Sequence, residues 1–493
     1  MQIWHVVLLT IVLMFVLLAI RVPVGFTLGI SGALGLTLLH GTGYATNTLG
    51  SVPFANSATF TLTIIPMFIL MGMLAVRANI AENVFAVANH FVRRAPGGLG
   101  VATVMACAGF SAVSGSSIGT AATMAKLSVA QMRAAGYPAS LATGVVAIAG
   151  TLGVMIPPST FLVLYAVMAG ESVAQMLAAG ILPGLLSAVG YIAYIMIAGQ
   201  RQVRRTDPAE LEDAIGDAQA ELRTKRIVGR SAEAGAAGDR TPGGTAGAGG
   251  RGSGGTALAD PVAPHAGRTR LRSLPWRGVV HIAILFIVVL GGMYSGFFTS
   301  TESAAVGALA ALIILAIENR RGGLRGIVRH FREALLDTAQ TTSMVFFVVI
   351  GSAILSTFFV AAGVTRAITE WVGSLPLSPM LVMAILLVCL VPLGMFLESM
   401  SILIITVPIL YPIAEQFGFS GVWLGIMIVK LIEIGMVTPP VGILTFVVSG
   451  ITGVKPEKVF RGVMPLLAID VVTTTLLFLF PAISLFLPSL VQR

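Results

Sequence analysis

Charge is what this chain has least of. Asp, Glu, Lys and Arg supply only 10% of the 493 residues, against 56% hydrophobic, and the mean hydropathy is +0.94. A soluble domain of this size does not manage with so few charges, so the composition is that of an all-α polytopic membrane protein. Apolar runs such as 3–20 and 279–290 require a lipid bilayer. Cysteine is scarce too: Cys107 and Cys389 both sit in apolar sequence, which excludes a disulfide framework and reads as two small buried hydrophobes. The six histidines (His5, His40, His90, His265, His281 and His330) are scattered. There is no HExxH, GxSxG, paired-cysteine or Walker A pattern, so neither a transition-metal site nor ATP hydrolysis by this chain is expected. No arginine series or filter sequence points to a channel. The first apolar run has no basic start, and Arg21 follows it, so it does not read as a cleaved signal peptide. The net charge of +9 does not imply nucleic acid, because the basic residues sit at the ends of apolar segments, where the positive-inside rule puts them.

What the chain does have is a phrase that occurs twice. Gly153-Val-Met-Ile-Pro157-Pro158-Ser159 lies in one apolar segment, and Gly435-Met-Val-Thr438-Pro439-Pro440-Val441-Gly442 lies in another, 282 residues later. A small polar cluster precedes each: Ser114-Gly115-Ser116-Ser117 and Glu398-Ser399-Met400-Ser401. Paired proline-broken membrane helices, each with a polar re-entrant tip, are the mark of a secondary transporter built from repeats.

Residues 200–277 differ from the rest, being charged and then rich in Gly and Ala; they are expected to form a cytoplasmic linker, with 207–226 able to make a short surface helix. The linker divides the chain into repeats 1–199 and 278–493. In the first, spans at 3–20, 22–40 and 58–76 precede a hairpin at 98–132, a broken span at 138–169 and a sixth segment at 179–199. In the second, 278–296, 301–317 and 341–361 precede a hairpin at 379–414, a broken span at 421–450 and a last segment at 463–487. Residues 40–52 form an outer loop. Counting charges outward from the linker gives an inverted-topology repeat: about ten spans, two re-entrant hairpins and both termini outside.

A proline pair inside a helix removes backbone donors and forces the helix open. In lipid, the freed groups must be satisfied by protein, water or an ion. The half-helix ending at each break presents carbonyls suited to a cation, and the one that follows presents amides suited to an anion. A packed structural kink is the alternative. The tip hydroxyls and carbonyls are hard oxygen ligands that suit sodium, although small residues also serve close helix packing. Glu398 is a candidate ion ligand, proton carrier or hairpin cap. Glu433 precedes Pro439 and has Lys430 three residues before it, which suggests an ion pair or a coupling role. Glu302, next to Thr301, reads as an acid in a first helical turn. Lys126 is placed to snorkel. Asp337 and Asp470 have no assigned role.

Ser111-Ala-Val-Ser-Gly-Ser-Ser-Ile-Gly-Thr120, Ile156-Pro-Pro-Ser159, Phe298-Thr-Ser-Thr-Glu302-Ser-Ala-Ala and Glu433-Ile-Gly-Met-Val-Thr-Pro-Pro-Val-Gly442, together with Pro66-Met-Phe-Ile-Leu-Met-Gly72, resemble the large membrane subunit of TRAP transporters, the DctM-like family. The resemblance covers both halves. It implies sodium-driven import of carboxylate solutes across the bacterial inner membrane, delivery by a periplasmic solute-binding protein, and a small four-helix membrane subunit as a separate chain. It also implies an elevator motion; the segment pattern is read as a scaffold from segments 1–3 and 6 of each half and a moving domain from the two hairpins and two broken helices. No cofactor is implied; sodium ions serve as the coupling ions. The family's sodium sites map to Ser114, Gly115, Ser116 and Ser117 with Pro157, Pro158 and Ser159, and to Glu398, Ser399 and Ser401 with Thr438, Pro439, Pro440 and Gly442. Glu302 and Glu433 match acidic positions of its motifs; Lys126 and Lys430 stand where neutral residues are expected. Two other readings remain: a self-sufficient organic-anion symporter, and, remotely, a membrane-embedded hydrolase using Glu398 and Ser399.

Overall fold

The computed structural model describes residues 3–491 except 21, 93, 200–274, 321–322 and 375. Arg21, Arg93, Arg321 and nearly all of the expected linker, with its surface helix, lie outside the described residues. Within them every regular element is helical, and eight helices are long and apolar enough to cross a membrane, or nine if the bent pair Ala139–Met155 and Thr160–Ala169 is one span. The chain is an all-α polytopic membrane protein.

Three elements differ from the sequence reading. The expected outer loop at 40–52 is instead a mostly exposed helix, Thr42–Ser57, which tolerates Pro53. The span expected at 341–361 is the second half of an unbroken 39-residue helix, Gly323–Ala361. Such a helix runs roughly 58 Å, about twice the thickness of a hydrocarbon core. Its first half carries Arg325, Arg329, Arg332, Glu333 and Asp337, and its apolar second half supplies the span. The last expected span, 463–487, is really Pro456–Leu479 followed by a separate helix, Ala482–Val491. Pro481 forces this end, because the residue before a proline is pushed out of helical geometry, and Phe480 has φ −123° and ψ 74°.

The early segments of the two halves pack crosswise. Val24–His40 lies along Gly323–Ala361, and Ser300–Glu318 lies along Ile64–Arg77. Small residues bring the first pair close: a Cβ on Gly32 would sit 2.8 Å from Leu355 Cα. Arg77 ties the same layer together, bonding Glu333 and, at 2.5 Å, Asp337, which gives Asp337 its partner.

The sixth segments, expected in the scaffold, pack elsewhere. Pro456–Leu479 lies along Ala139–Gly150, and Val173–Tyr194 lies against the broken helices and Ala482–Val491. Gly144 and Gly462 permit the first crossing: a Cβ on Gly144 would come within 2.7 Å of Gly462 Cα. Both sixth segments therefore adjoin the broken helices, and Val173–Tyr194 also touches Gly98–Ser114 of the first hairpin.

Candidate functional site

Each polar cluster forms a helix–turn–helix tip. Gly98–Ser114 ends at Gly115, whose φ of +58° is the left-handed geometry that glycine adopts without strain. Ser116 then caps Ser117–Met124, its Oγ accepting from the Gly119 amide at 3.2 Å. In the second tip, Pro379–Phe396 leads to Glu398, which caps Ser399–Gln416; its Oε2 accepts from the Ser401 amide at 3.3 Å and from the Ser401 hydroxyl at 3.4 Å. Of the roles open to Glu398, capping is the one its contacts display.

The first tip seats on the first break. Thr160 Oγ1 donates to the Gly115 carbonyl at 3.1 Å, and a Cβ on Gly115 would stand 3.1 Å from the Pro158 carbonyl. The Ser116 carbonyl lies so close over Gly153 that a side chain there would collide with it. Ser114 Oγ and Thr120 Oγ1 are 2.6 Å apart, so Ser114 turns into its own hairpin. Ser159 Oγ accepts from the Leu162 amide at 3.3 Å as the cap of the second half-helix. Pro157, Pro158 and Ser159 are all buried. Thr160 is the part of this contact that the sequence reading missed.

At the second break, Thr438 Oγ1 donates back to the Ile434 carbonyl at 2.6 Å, Pro439 and Pro440 are exposed, and Gly442 holds φ +55°. The second tip reaches the helix just before this break. Ser399 Oγ touches Met436 Sδ, and donates to Glu433 Oε1 at 3.3 Å. The described hydrogen bonds of Glu398 and Ser401 stay within their own tip; Ser399 bonds to the broken helix, and a Cβ on Gly394 of the same hairpin would come within 2.9 Å of Gly435 Cα.

Glu433 is where the two tips meet. Ser117 Oγ, from the first hairpin, also donates to Glu433 Oε1 at 3.3 Å. Ser117, Ser399 and Glu433 are each no more than 2% exposed. Both serines are the first residue of a helix, so the carboxylate faces two helix N-termini, whose partial positive charge favours an anion. Its other oxygen, Oε2, has no hydrogen-bond partner among the described residues. The repeat offset of 282 that relates Pro157 to Pro439 also relates Ser117 to Ser399, and it pairs Glu433 with Thr151. Thr151 donates to the Ile148 carbonyl at 2.6 Å, so the acid belongs to the second half alone.

The chain also has known relatives. The family model of the tripartite ATP-independent periplasmic transporter DctM component matches residues 11–483. The chain belongs to that family. Its relatives include the C4-dicarboxylate TRAP transporter large permease protein DctM of Pseudomonas aeruginosa, 31% identical over 94% of each chain. They also include the sialic acid TRAP transporter large permease protein SiaM of Vibrio cholerae, 28% identical over 96% of each. Among solved structures, the YdaH transporter of Alcanivorax borkumensis resembles it with a TM-score of 0.60 at 12% identity, covering 97% of this chain and 98% of that one. That likeness is one of fold.

Family membership makes this DctM-family chain a transport protein and not an enzyme. Glu302 belongs to a capping box: its Oε2 accepts from the Thr299 amide at 2.8 Å while its own amide donates to Thr299 Oγ1 at 3.3 Å. Lys126 is exposed on the returning arm of the first hairpin, as a snorkelling lysine would be. Lys430 does not pair with Glu433. Its Nζ reaches across to Asp470 Oδ1, 2.5 Å away on Pro456–Leu479. Spacing of three residues gives proximity on a helix, but the partner with the better geometry comes from another helix.

Proposed function

We propose that the chain is the large permease subunit of a tripartite, sodium-coupled importer of small carboxylate solutes in the bacterial inner membrane. A periplasmic solute-binding protein delivers the solute, and a small four-helix subunit braces the permease. The observation that carries this reading is the convergence of Ser117 and Ser399 on Glu433, which makes two separate hairpins parts of one buried device. The relatives named for C4-dicarboxylates and sialic acid support the solute class, since both solutes bear carboxylates.

The inverted repeat draws support from which connections lie together. Tyr165 OH donates to the Gly421 carbonyl at 2.6 Å, and Tyr411 OH donates to Glu171 Oε1 at 3.0 Å, so the end of the first broken helix adjoins the base of the second hairpin. The base of the first hairpin is closed by Tyr137 OH, 3.3 Å from the Gly100 amide, near where Ser140 meets Gly462. On this reading the hairpins enter from opposite faces, the linker is cytoplasmic and the termini are periplasmic.

The mechanism begins with oxygen-rich tips. Sodium, a hard cation, takes tip hydroxyls and the carbonyls freed at the breaks. Each ion closes its tip against its broken helix, and half-helix amides meet the solute carboxylate. With charge neutralised, the hairpin-bearing body moves across the membrane while the crossed early segments hold still. The body includes both sixth segments, because they pack on the broken helices.

The test is uptake into proteoliposomes holding the chain with its small subunit. Uptake of a carboxylate solute is expected only with an inward sodium gradient and the binding protein present. Uptake without the binding protein favours a self-sufficient symporter; uptake indifferent to sodium overturns the coupling.

A further inference from the structure

The charged half of Gly323–Ala361 sorts its side chains by face. On a helix, Arg325, Arg329 and Arg332 fall on one stripe, and all three are exposed. Beside it runs an apolar stripe of Leu324, Val328, Phe331 and Leu335; Leu324 is 77% and Val328 54% exposed. The acids lie on the other side, where Glu333 and Asp337 bond Arg77, the last residue of Ile64–Arg77. Ala334 and Thr338 make the buried face. Among the described residues, the three arginines have no hydrogen-bond or ion-pair partner.

Within the helix this arrangement is unfavourable. Like charges three and four residues apart repel, and cations near the starting end oppose the helix dipole. The acids of this half, Glu333 and Asp337, are both turned to Arg77 and do not offset the arginines. An exposed apolar stripe alongside is equally ill suited to water. Cations next to an apolar stripe are the pattern of a helix seated at a membrane interface, with apolar side chains in the acyl boundary and cations among phosphates.

The depth agrees. Leu336 follows Arg332 by one turn on the same face and is exposed, and residues 338–361 carry no charge. A helix over that stretch rises roughly 36 Å, enough to cross a ~30 Å hydrocarbon core with a moderate tilt. Arg332 therefore falls just outside the core, at headgroup depth. Arg77, which ends its own apolar helix, meets Glu333 and Asp337 at the same depth.

We propose that this stripe binds anionic phospholipid: Arg325, Arg329 and Arg332 hold lipid headgroups while Leu324, Val328 and Leu335 enter the acyl boundary. A guanidinium offers a phosphate two parallel hydrogen bonds. A headgroup with net negative charge, such as phosphatidylglycerol, also relieves the repulsion among the three cations, which a zwitterionic headgroup does not. In the orientation of the proposed function, the site faces the cytoplasmic leaflet. The same helix lies along Val24–His40 and packs on Ile64–Arg77, so bound lipid pins the crossed early segments at a fixed depth. That consequence rests on the import reading; the lipid site does not.

The test puts a bimane label on Val328→Cys in the full chain, with Cys389→Ser, in proteoliposomes of phosphatidylcholine and phosphatidylglycerol. In separate samples one lipid or the other carries a doxyl quencher near its headgroup, at equal mole fraction. Labelled phosphatidylglycerol is expected to quench more than labelled phosphatidylcholine, by roughly twofold or more. Arg325→Gln, Arg329→Gln and Arg332→Gln together should bring the two to parity. Arg366→Gln, Lys455→Gln and Arg461→Gln remove three exposed cations elsewhere and should leave the preference intact. Equal quenching by the two lipids with all three stripe arginines in place overturns the proposal. So does a preference that survives their loss, or one that the control triple abolishes as fully. A label shielded from both lipids also overturns it, since a protein segment would then cover the stripe. The assay uses no sodium gradient, solute or binding protein, so its failure and a failure of the import reading are separately visible.

Discussion

Ser117 and Ser399, 282 residues apart, donate to the same oxygen of Glu433 at 3.3 Å each. The same offset separates the two proline pairs, so the two serines stand at matching positions of the two halves and one acid serves both. A change at either tip therefore reaches a shared carboxylate.

Replacing either serine with alanine should raise the sodium concentration needed for half-maximal uptake. Residues that share a partner couple by roughly 0.5–3 kcal/mol, so Ser117→Ala and Ser399→Ala should be clearly non-additive. The cycle is completed in a Glu433→Gln background, where the coupling should shrink. Full additivity with Glu433 in place would separate the tips.

Ser116 caps the returning arm of the first hairpin. Its replacement by alanine should destabilise that arm by about 0.5–2 kcal/mol and steeply raise the sodium requirement. Sodium titration of uptake, alongside thermal unfolding, tests both effects. An unchanged sodium requirement in both Ser116→Ala and Ser117→Ala would remove the first ion site.

The Gly144–Gly462 crossing has no room for a side chain. Gly462→Ala would run into the Ser140 carbonyl and should cost about 1–3 kcal/mol. Gly450→Ala, in a helix with open space around it, is the control and should hold or raise Tm. Thermal unfolding in detergent distinguishes the two.

Glu302 is a cap, so Glu302→Ala should lower Tm while leaving the sodium dependence of uptake as it was. A changed sodium requirement would give Glu302 a part in coupling that its contacts with Thr299 do not explain.

Much of this site is legible in the sequence because its cues are local. A proline pair in an apolar run must open a helix, and Ser114–Ser117 and Glu398–Ser401 are polar where lipid tolerates little polarity. What local cues miss is choice of partner. Lys430 looks paired with Glu433 at a spacing of three, yet Asp470 takes it from forty residues downstream. The sixth segments read as scaffold because segments alike in hydropathy carry no label of their neighbour; Gly144 and Gly462 decide it, and each looks ordinary alone. The two breaks are spelled almost identically, but Pro157 and Pro158 are buried while Pro439 and Pro440 are exposed, a difference set by what packs over them. The unbroken helix Gly323–Ala361 was hidden because its charged half resembles a connection.

The most direct measurement is the sidedness of the hairpin bases. Cys389, expected to be buried like Cys107, is exposed; with it replaced by serine, single cysteines at Pro96, Ala135, Leu377 and Gln416 are labelled by a membrane-impermeant maleimide in right-side-out and inside-out vesicles. Positions 96 and 135 should label only from the cytoplasmic face, and 377 and 416 only from the periplasmic face. If 96 and 135 label from different faces, or 377 and 416 do, a hairpin crosses the membrane outright and the two tips do not converge on Glu433 from opposite sides.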